Sequence, residues 1–398
     1  MSLINKKIVL GVTGAISAYK ALELTRLFVK EGAIVLPVMT KAAAEFITPL
    51  SLSTLAKSPV YGGGGGLFEL TQGSRISHIE LAQASDLICV APATANFIGK
   101  AASGIADDLL TTIVMAACAP VLVAPSMNTR MWENPIVAAN VERLKAAGYL
   151  FVGPAEGELA CGTSGRGRLA PVDDIVEAAI DALSVKDLAG EKVLVTAGPT
   201  REPIDPVRFV SNSSSGRMGY AIAAAAKRRG AEVVLISGPT HLCCPPGVTT
   251  VKAATAQELY DACAGYFPQS TIVVMSAAVA DYRPVKSFPH KVKKEAGSLS
   301  VEMERTADVL KHMGKRKKKG QVLVGFALET ENMEANARKK LDEKDLDLVV
   351  ANSPAGLDSE MNQVTIIDKK GGAEPLQPMK KDLLADIILD RVVRLKRG

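Results

Sequence analysis

The chain has 398 residues, of which 47% are hydrophobic and 22% are charged, with a formal net charge of +5. This length is enough for two domains of ordinary size, and this composition excludes a largely disordered chain. The most apolar stretch, 111–125, is too short and too interrupted to cross a bilayer, so we expect no membrane contact.

The N-terminal segment "KKIVLGVTGAISA" has the basic and apolar parts of a secretion signal. Its glycines and threonine fit better a buried strand that enters a tight turn. Six cysteines, at positions 89, 118, 161, 243, 244 and 263, form no CxxC pair and no zinc-site spacing with the four histidines. These features predict free thiols in a cytoplasmic protein, so Cys161 is expected to be neither a disulfide partner nor a metal ligand.

In the first half, short runs rich in Val, Ile and Leu alternate with amphipathic stretches, as strands and helices do around a parallel sheet. Strands are predicted at "KIVLGVT", "IVLPVMT", "DLICVAPA", "PVLVAPS" and "LFVG". Helices are predicted at about 16–31, 94–117 with a break at Gly104, 134–148 and 172–184. The pattern predicts an open, doubly wound α/β domain over residues 1–188. The pentaglycine at 62–66 is expected to form a surface loop.

A polar linker near 185–190 leads into a second pattern of the same kind. Strands are predicted at "KVLVT", "EVVLIS", "TIVVMSAAV", "VLVGFAL", "LDLVVAN" and "QVTIID". Helices are predicted at about 217–229, 256–266, 331–343 and 379–395. The fold class is therefore α/β, with a second doubly wound, mostly parallel sheet over residues 189–398.

Charge is distributed unevenly between the two halves. Residues 1–190 carry 15 basic and 17 acidic side chains, whereas residues 191–398 carry 32 basic and 25 acidic ones. The second half is therefore suited to an anionic ligand. Its basic run "KHMGKRKKKG" at 311–320 has no interleaved aromatic residues, so we interpret it as a solvated loop and expect no nucleic-acid partner.

"GVTGAISAYKA" follows the first strand and opens a helix, so its N–H groups can hold a phosphate at Gly14, Ala15, Ile16 and Ser17. The spacing is not GxGxxG, and the second strand ends at Thr40 without an acidic residue for a ribose. A mononucleotide therefore fits better than NAD. Small side chains after the strand "DLICVAPA" leave room for a flat ring at Ala93, Thr94, Ala95 and Asn96.

Three further residues have both a structural and a chemical interpretation. His78 in "ISHIEL" lies at the predicted start of a helix and fits a structural histidine as well as an acid or base. Asn128 in "APSMN" fits a helix cap as well as a ligand for a carboxylate. Cys161 in the glycine-rich "EGELACGTSGRGRL" fits an inert thiol as well as a reactive one on a mobile loop.

Taken together and in this order, these motifs resemble the flavin-dependent cysteine decarboxylases, of which phosphopantothenoylcysteine decarboxylase is the common member. The resemblance covers residues 5–184 and implies a flavodoxin-like fold for this domain. It implies bound FMN, with its phosphate at Gly14 to Ser17 and its ring near Ala93 to Asn96. It also implies that His78 acts in oxidative decarboxylation, that Asn128 holds the substrate carboxylate, and that Cys161, on a closing flap, donates a proton when the flavin returns its electrons.

In the second half, "TAGPTREPIDPVRFVSNSSSGRMG" joins a strand exit, two arginines and a Ser/Gly loop before a helix. This setting suits a phosphate or carboxylate, although a surface loop capped by Ser213 to Ser215 is the alternative. Farther on, "SAAVADYRP", "KVKK", "VGFALET" and "RKKLDEKDLDLVVAN" supply an acid, an aromatic ring and several lysines. A solvated lysine face is the ordinary explanation, and a triphosphate site is the functional one.

These motifs are similar to those of phosphopantothenate-cysteine ligase over residues 191–396. The resemblance implies attack of the phosphopantothenate carboxylate on the α-phosphate of CTP, then displacement of CMP by the amine of cysteine, with Mg2+ on the phosphates. Asn212 and Arg208 would contact the phosphopantothenate portion, and Lys291 would stabilise charge at the activated carboxylate. The residues implied for the nucleotide site are Asp281, Phe326, Lys340 and Lys344.

The order of the two halves resembles the bifunctional enzyme of bacterial and archaeal coenzyme A synthesis, and it implies trimers or dodecamers through the first domain and dimers through the second. "RTADV" at 305–309 lacks the Asn-Pro often found in that nucleotide loop. Two alternatives stay open: a non-catalytic flavin-binding regulatory protein, and a flavin oxidoreductase with an external hydride donor.

Overall fold

The computed structural model describes residues 3–63, 78–158, 162, 164–293, 300–329, 331–352, 359 and 361–397. The chain divides into two compact units, Ser2–Ser184 and Val185–Gly398. Within the described ranges, no helix has both the length and the apolar character that a membrane span requires.

The first unit is built around six parallel strands in the order β3-β2-β1-β4-β5-β6. Its strands are β1 Lys7–Val12, β2 Ile34–Met39, β3 Tyr61–Gly62, β4 Leu87–Ala93, β5 Val121–Pro125, β6 Leu150–Phe151, β7 Ala155–Glu158 and β8 Ser164–Arg168. Its helices are α1 Lys20–Lys30, α2 Lys41–Ala44, α3 Pro49–Ala56, α4 His78–Ala84, α5 Ala95–Ala102, α6 Leu109–Met115, α7 Thr129–Trp132, α8 Pro135–Ala146 and α9 Val172–Leu183. A short 3-10 turn, Ile16–Tyr19, precedes α1.

Every residue of β4 is buried, because helices cover both faces of the sheet. This confirms the predicted doubly wound class. The six-strand order is that of Rossmann sheets, in place of the order 2-1-3-4-5 of flavodoxin itself. In both orders the strand sequence reverses next to β1, and ligands bind at that switch point.

The second unit has eight strands in the order β13-β12-β9-β14-β17-β18-β20-β21, all in one direction except β20, which is antiparallel to both of its neighbours. Its strands are β9 Lys192–Ala197, β10 Arg201–Pro203, β11 Phe209–Ser211, β12 Glu232–Ser237, β13 Thr249–Lys252, β14 Ile272–Met275, β15 Tyr282–Pro284, β16 Met303–Arg305, β17 Val322–Leu328, β18 Leu348–Asn352, β19 Met361–Asn362, β20 Val364–Asp368, β21 Ala373–Pro375 and β22 Met379–Lys380. Its helices are α10 Arg217–Arg228, α11 Ala256–Tyr266, α12 Val309–Lys315, α13 Met333–Glu343 and α14 Lys381–Arg397.

The helix predicted over 94–117 with a break at Gly104 is confirmed as two helices, α5 and α6, and Asp108 caps the second by accepting a hydrogen bond from the N–H of Thr111. Two other predicted elements differ from the structure. The loop expected at 311–320 is helical as far as Lys315, because Asp308 caps α12 and Met313 is buried. The glycine-rich segment forms the arms of an antiparallel hairpin, β7 and β8, rather than an irregular loop.

Candidate functional site

The first site lies where β1, β4 and β5 end. Thr13 follows β1, and its buried hydroxyl donates to the carbonyl of Pro92 at 2.8 Å. The same hydroxyl accepts a hydrogen bond from the N–H of Thr94 at 3.1 Å. Thr13 thereby fixes the turn after β1 against the end of β4. The sequence contains no pattern from which this role of a single threonine could be predicted.

A cavity of about 1180 Å³ opens at this edge of the sheet. Most of the residues predicted to bind the cofactor line it, namely Gly14, Ala15, Ile16, Ser17, Thr40, Thr94, Ala95 and Asn96. Ser17 donates a hydrogen bond to the hydroxyl of Ser126 at 2.7 Å, so two hydroxyl groups meet in the wall. Ala93 is fully buried and not part of the lining, but its carbonyl accepts from the N–H of Ser126 at 2.9 Å.

Glycine at position 14 is required by a close approach of two segments. A Cβ added there would lie 2.5 Å from the Cβ of Ala42 and 2.9 Å from its backbone. The space beside the turn is therefore closed to any side chain at position 14, and within the turn the N–H of Ala15 donates to the carbonyl of Thr13 at 3.0 Å. This arrangement suits a phosphate better than a bulky neutral group.

Asn128 lies at the end of β5 and also lines the cavity. Its Oδ1 accepts a hydrogen bond from the N–H of Arg130 at 2.9 Å, so Asn128 caps α7. The hairpin packs directly beside it, because the N–H of Met127 donates to the carbonyl of Gly167 at 2.9 Å. The cap is therefore real, and it leaves the chemical interpretation of Asn128 open.

The hairpin arms contribute Glu158, Gly167 and Arg168 to the cavity wall. Cys161, between the arms, lies outside the described residues. His78 begins the described part of α4 and is half-buried, but it is not among the residues that line this cavity.

A group of charges in the wall was missed by the sequence analysis. Lys100 lies 2.7 Å from Asp107 and 3.6 Å from Asp108. The hydrogen bond to Asp107 and the charges of both carboxylates raise the pKa of Lys100, despite its partial desolvation. These residues follow the predicted strand "DLICVAPA" in the sequence, and that position was the signal that could have identified them.

In the second unit, α10 starts at the carboxyl end of β9. A Cβ at Gly219 would lie 2.5 Å from the Cβ of Ala197, so this glycine lets the helix approach the strand closely. The N-cap is Gly216, which provides no side-chain hydrogen bond. The alternative in which Ser213 to Ser215 cap this helix is therefore wrong, and the first N–H groups of α10 have no side-chain cap.

A second cavity, of about 450 Å³, lies between the ends of β14 and β17. It is lined by all four residues predicted for a nucleotide site, Asp281, Phe326, Lys340 and Lys344. The Nζ of Lys340 donates to the carbonyl of Phe326 at 2.6 Å. Desolvation and the like charge of Lys344 lower the pKa of Lys340.

The loop "RTADV" forms one wall of this cavity. The hydroxyl of Thr306 donates to the carbonyl of Ala280 at 2.6 Å, and its N–H donates to the carbonyl of Asp281 at 3.0 Å. Thr306 thus ties this loop to the end of the Ala277–Asp281 segment, although the loop lacks the Asn-Pro of the family.

The other three predicted ligase residues do not line this cavity. Asn212 is exposed, and its Nδ2 donates to the carbonyls of Ala278 at 3.3 Å and Val279 at 2.9 Å. Arg208 is partly exposed, and Lys291 is exposed. Asn212 therefore adjoins the cavity through Val279, one of its lining residues.

Comparison with known proteins accounts for both units. Residues 2–184 match the family described as "Flavoprotein", and residues 188–395 match "DNA/pantothenate metabolism flavoprotein C-terminal domain". "Coenzyme A biosynthesis bifunctional protein CoaBC" of Bacillus subtilis (strain 168) is 45% identical over 401 residues, which cover 99% of this chain and 98% of that protein. The protein of the same name from Escherichia coli (strain K12) is 43% identical over 402 residues, with coverage of 99% and 98%.

A solved structure, "Crystal structure of the C-terminal Domain of Coenzyme A biosynthesis bifunctional protein CoaBC", is 44% identical. It covers 53% of this chain and 97% of its own, with a TM-score of 0.47. The predicted boundary between residues 188 and 189 stays a prediction. Because the full-length relatives match almost end to end, the chain belongs to the CoaBC family of bifunctional coenzyme A biosynthesis proteins, which unite a phosphopantothenoylcysteine decarboxylase with a phosphopantothenate-cysteine ligase.

Proposed function

We propose that residues 189–398 join cysteine to 4'-phosphopantothenate with CTP, and that residues 1–188 decarboxylate the product to 4'-phosphopantetheine with FMN. The observation that carries this division is that each unit has a cavity of its own beside its sheet. Each cavity lies at the carboxyl ends of parallel strands, where α/β sheets bind ligands. The product of the second unit is then the substrate of the first.

The first cavity fits FMN on three grounds. Its volume is large enough for FMN and part of a substrate. Gly14 lines the cavity without a side chain, and Ser17 adds a hydroxyl to the same lining. The small side chains of Thr94 and Ala95 leave a flat surface for a ring. When bound, FMN would supply a reversible two-electron oxidation of the substrate's cysteine-derived part.

The roles of the chain's own residues follow from their chemistry. Asn128 would hold the substrate carboxylate through its amide without adding charge, which leaves that carboxylate free to depart as CO2. His78 would accept a proton during oxidative decarboxylation, because a neutral imidazole has one ring nitrogen free to accept. Cys161 would return a proton to carbon in the reductive half, from a hairpin whose arms already line the cavity.

We also propose that the first unit is a homo-oligomer, built up to dodecamers, and that the second unit dimerises. Four apolar side chains line the first cavity yet are strongly exposed: Ile16 by 62%, Tyr19 by 58%, and Phe46 and Met131 by 48% each. A second copy that covers this rim would bury these side chains. In such an assembly, His78 of the second copy would lie at this cavity, which the His78 of the same chain does not line.

In the second unit, CTP would occupy the 450 Å³ cavity, with Asp281, Phe326, Lys340 and Lys344 around the nucleotide. The uncapped N-terminus of α10 would meet the phosphates. Arg208 and Asn212 would hold phosphopantothenate, and Lys291 would stabilise the charge that develops at its activated carboxylate. The amine of cysteine would then displace CMP.

Mg2+ is proposed on the triphosphate. No cluster of three or more His, Cys, Asp or Glu side chains suited to a metal occurs within the described ranges. Phosphate oxygens and water would therefore supply most of the ligands, as is usual for Mg2+ with nucleotides.

A single assay tests the proposal. The protein is incubated with 4'-phosphopantothenate, cysteine, CTP and Mg2+, and CMP and CO2 are measured. We expect both products without any added reductant. Yellow, folded protein that yields neither product would favour the regulatory alternative, and a requirement for an external hydride donor would favour the oxidoreductase alternative.

A further inference from the structure

Asp205, in "PIDPVR", was not singled out by the sequence analysis, yet its carboxylate is a junction of three segments. Its side chain is fully buried, next to a partly exposed Arg208. Oδ1 accepts hydrogen bonds from the N–H groups of Val207 and Arg208, each at 2.8 Å. Oδ2 accepts from the N–H of Val292 at 3.1 Å and lies 3.4 Å from Nη1 of Arg208.

Val292 is 87 positions from Asp205 in the sequence, yet its N–H donates directly to the carboxylate of Asp205. This hydrogen bond fixes the residue that directly follows Lys291 in "KVKK". A second bond of the same kind supports it, because the N–H of Phe288 donates to the carbonyl of Ile204 at 2.8 Å. The segment that carries Lys291 is therefore fastened to the turn that carries Arg208.

The turn itself is closed by its own backbone. The N–H groups of Ile204 and Asp205 donate to the carbonyl of Arg208 at 2.8 Å and 3.2 Å. Within the described part of the chain, the guanidinium of Arg208 makes one contact with a carboxylate, the 3.4 Å approach to Asp205. A guanidinium has five N–H donors, so Arg208 keeps most of them for an anionic ligand.

We propose that Asp205 is a positioning residue of the ligase reaction: it holds Arg208 and Lys291 in a fixed relation, so that one group binds phosphopantothenate while the other meets its activated carboxylate. The proposal rests on the ligase function proposed above. Asp205 touches no substrate and acts only through these two residues. Its effect should therefore fall on the step that consumes phosphopantothenate.

The test variant is Asp205→Asn in the full chain. An amide keeps one oxygen for the N–H groups of Val207 and Arg208, but it turns an NH2 group toward Val292 and the guanidinium, where donors face donors. The turn should persist while the tie to the Lys291 segment is lost. We expect phosphopantothenate-dependent exchange of pyrophosphate into CTP to fall at least tenfold, and KM for phosphopantothenate to rise about tenfold.

Three parameters should stay within about twofold of wild type: KM for CTP, KM for cysteine, and decarboxylation of supplied phosphopantothenoylcysteine by the first unit. Asp187→Asn is the matched control, because Asp187 is a largely buried carboxylate of the same unit that pairs with Arg229. It should lower stability and leave the ligase kinetics unchanged. Val292→Pro removes the N–H that donates to Asp205 and leaves Asp205 itself unchanged. This variant tests the proposal if Asp205→Asn does not fold.

Two results would overturn the proposal. One is wild-type exchange and an unchanged phosphopantothenate KM in both Asp205→Asn and Val292→Pro. The other is a parallel loss of all ligase parameters, including KM for CTP, together with a lower melting temperature, since that marks a purely structural role. If the wild type forms no CMP, the ligase function itself is refuted. This result is obtained before any variant is compared, so the two failures are distinguishable.

Discussion

The Nζ of Lys344 lies 2.8 Å from Oδ2 of Asp308, at the wall of the cavity that also contains Lys340. Desolvation raises the pKa of Asp308, but the hydrogen bonds from Lys344 and from the N–H of Lys311 outweigh it, so this pKa lies below its usual value. Lys344 thus neutralises Asp308, while its charge still disfavours a proton on Lys340. The two lysines differ in environment although they are only four residues apart.

This difference predicts a pH dependence for nucleotide binding. Because the pKa of Lys340 is lowered, its positive charge is lost at a lower pH than that of an ordinary lysine. We expect kcat/KM for CTP to decline on the alkaline side as that charge is lost. In Lys344→Gln the like charge is gone, so the decline should move to higher pH even though CTP binding is weaker overall.

A pH–rate series of wild type and Lys344→Gln measures the shift. Lys339→Gln is the control, because the side chain of Lys339 is 72% exposed and lies 3.8 Å from the carboxylate of Glu343, on the same helix. It should leave the profile unchanged. An alkaline limb that is identical in wild type and Lys344→Gln would show that nucleotide binding does not depend on the charge of Lys340.

Gly14 offers a test of the first cavity. In Gly14→Ala the new Cβ would lie 2.5 Å from Ala42, so either the turn after β1 or the start of α2 must move. We expect FMN occupancy, read from the flavin absorbance of purified protein, to fall at least tenfold. Decarboxylation should fall with it, while CMP formation by the second unit continues.

Gly99→Ala is the matched control for that experiment. Gly99 lies inside α5, and an added Cβ would meet only the side-chain amide of Asn140, at 3.8 Å. The helix should gain up to about 1 kcal/mol of stability and the protein should stay yellow. Equal loss of flavin in both variants would mean that the effect of Gly14→Ala is not local.

The sequence was most informative where periodicity is long. Strands such as β4 and β12 are long enough to form clear apolar runs, and helices such as α9 and α11 are long enough for apolar residues to repeat on one face. The short antiparallel pairs, β10 with β11 and β15 with β16, have three residues a strand and no such repeat. Their pairing depends on tertiary contacts, so local pattern could not predict it.

The same contrast holds for the sites. Residues that follow long strands, such as Ser17 and Asp281, were expected at ligand cavities and line them. Thr13 and Asp205 act through hydrogen bonds to residues about 80 positions away, which no local motif encodes. The missing information is therefore the pairing of distant segments rather than the chemistry of single side chains.

Asn128 can be tested as a ligand separately from its role as a cap. Aspartate caps helices about as well as asparagine, so Asn128→Asp should keep α7 and the melting temperature. The added negative charge would face the substrate carboxylate, and we expect decarboxylation to fall at least 100-fold. Asn134→Asp is the control, since Oδ1 of Asn134 caps α8 in the same way, by accepting a hydrogen bond from the N–H of Ile136 at 2.9 Å. Near-normal decarboxylation in Asn128→Asp would leave the cap as its main role.

Cys161→Ser separates the two halves of the decarboxylase reaction. A hydroxyl is a far weaker acid than a thiol, so the variant should release CO2 but fail to protonate the oxidised aminoenethiol. We expect that intermediate to accumulate, as measured by mass spectrometry of the quenched reaction. Cys118→Ser, which changes an exposed thiol, should behave as wild type. Normal release of the fully reduced thiol by Cys161→Ser would disprove the proton-donor role.

Arg229 and Asp187 predict an acid-sensitive anchor in the second unit. Nε and Nη2 of Arg229 donate to the two carboxylate oxygens of Asp187 at 2.8 Å and 2.6 Å, and both side chains are largely buried. The hydrogen bond from Arg229 and its charge hold the pKa of Asp187 below its usual value. At pH 7, Asp187→Asn should lower the free energy of opening of α10 and α14 by about 2 kcal/mol, as measured by hydrogen exchange.

The sign of the pH dependence follows from the lowered pKa. Above the unfolded pKa of about 3.9 the stabilisation is fully present, and it is lost as pH falls through the folded pKa. The difference between wild type and Asp187→Asn should therefore vanish in acid and be constant from about pH 5 to 8. Glu343→Gln, which breaks a pair with both partners more than half exposed, should change stability by less than about 0.5 kcal/mol. Trp132 fluorescence, which reports the first unit, should be unaffected by either variant. A stability difference between wild type and Asp187→Asn that grows in acid would contradict the lowered pKa of Asp187.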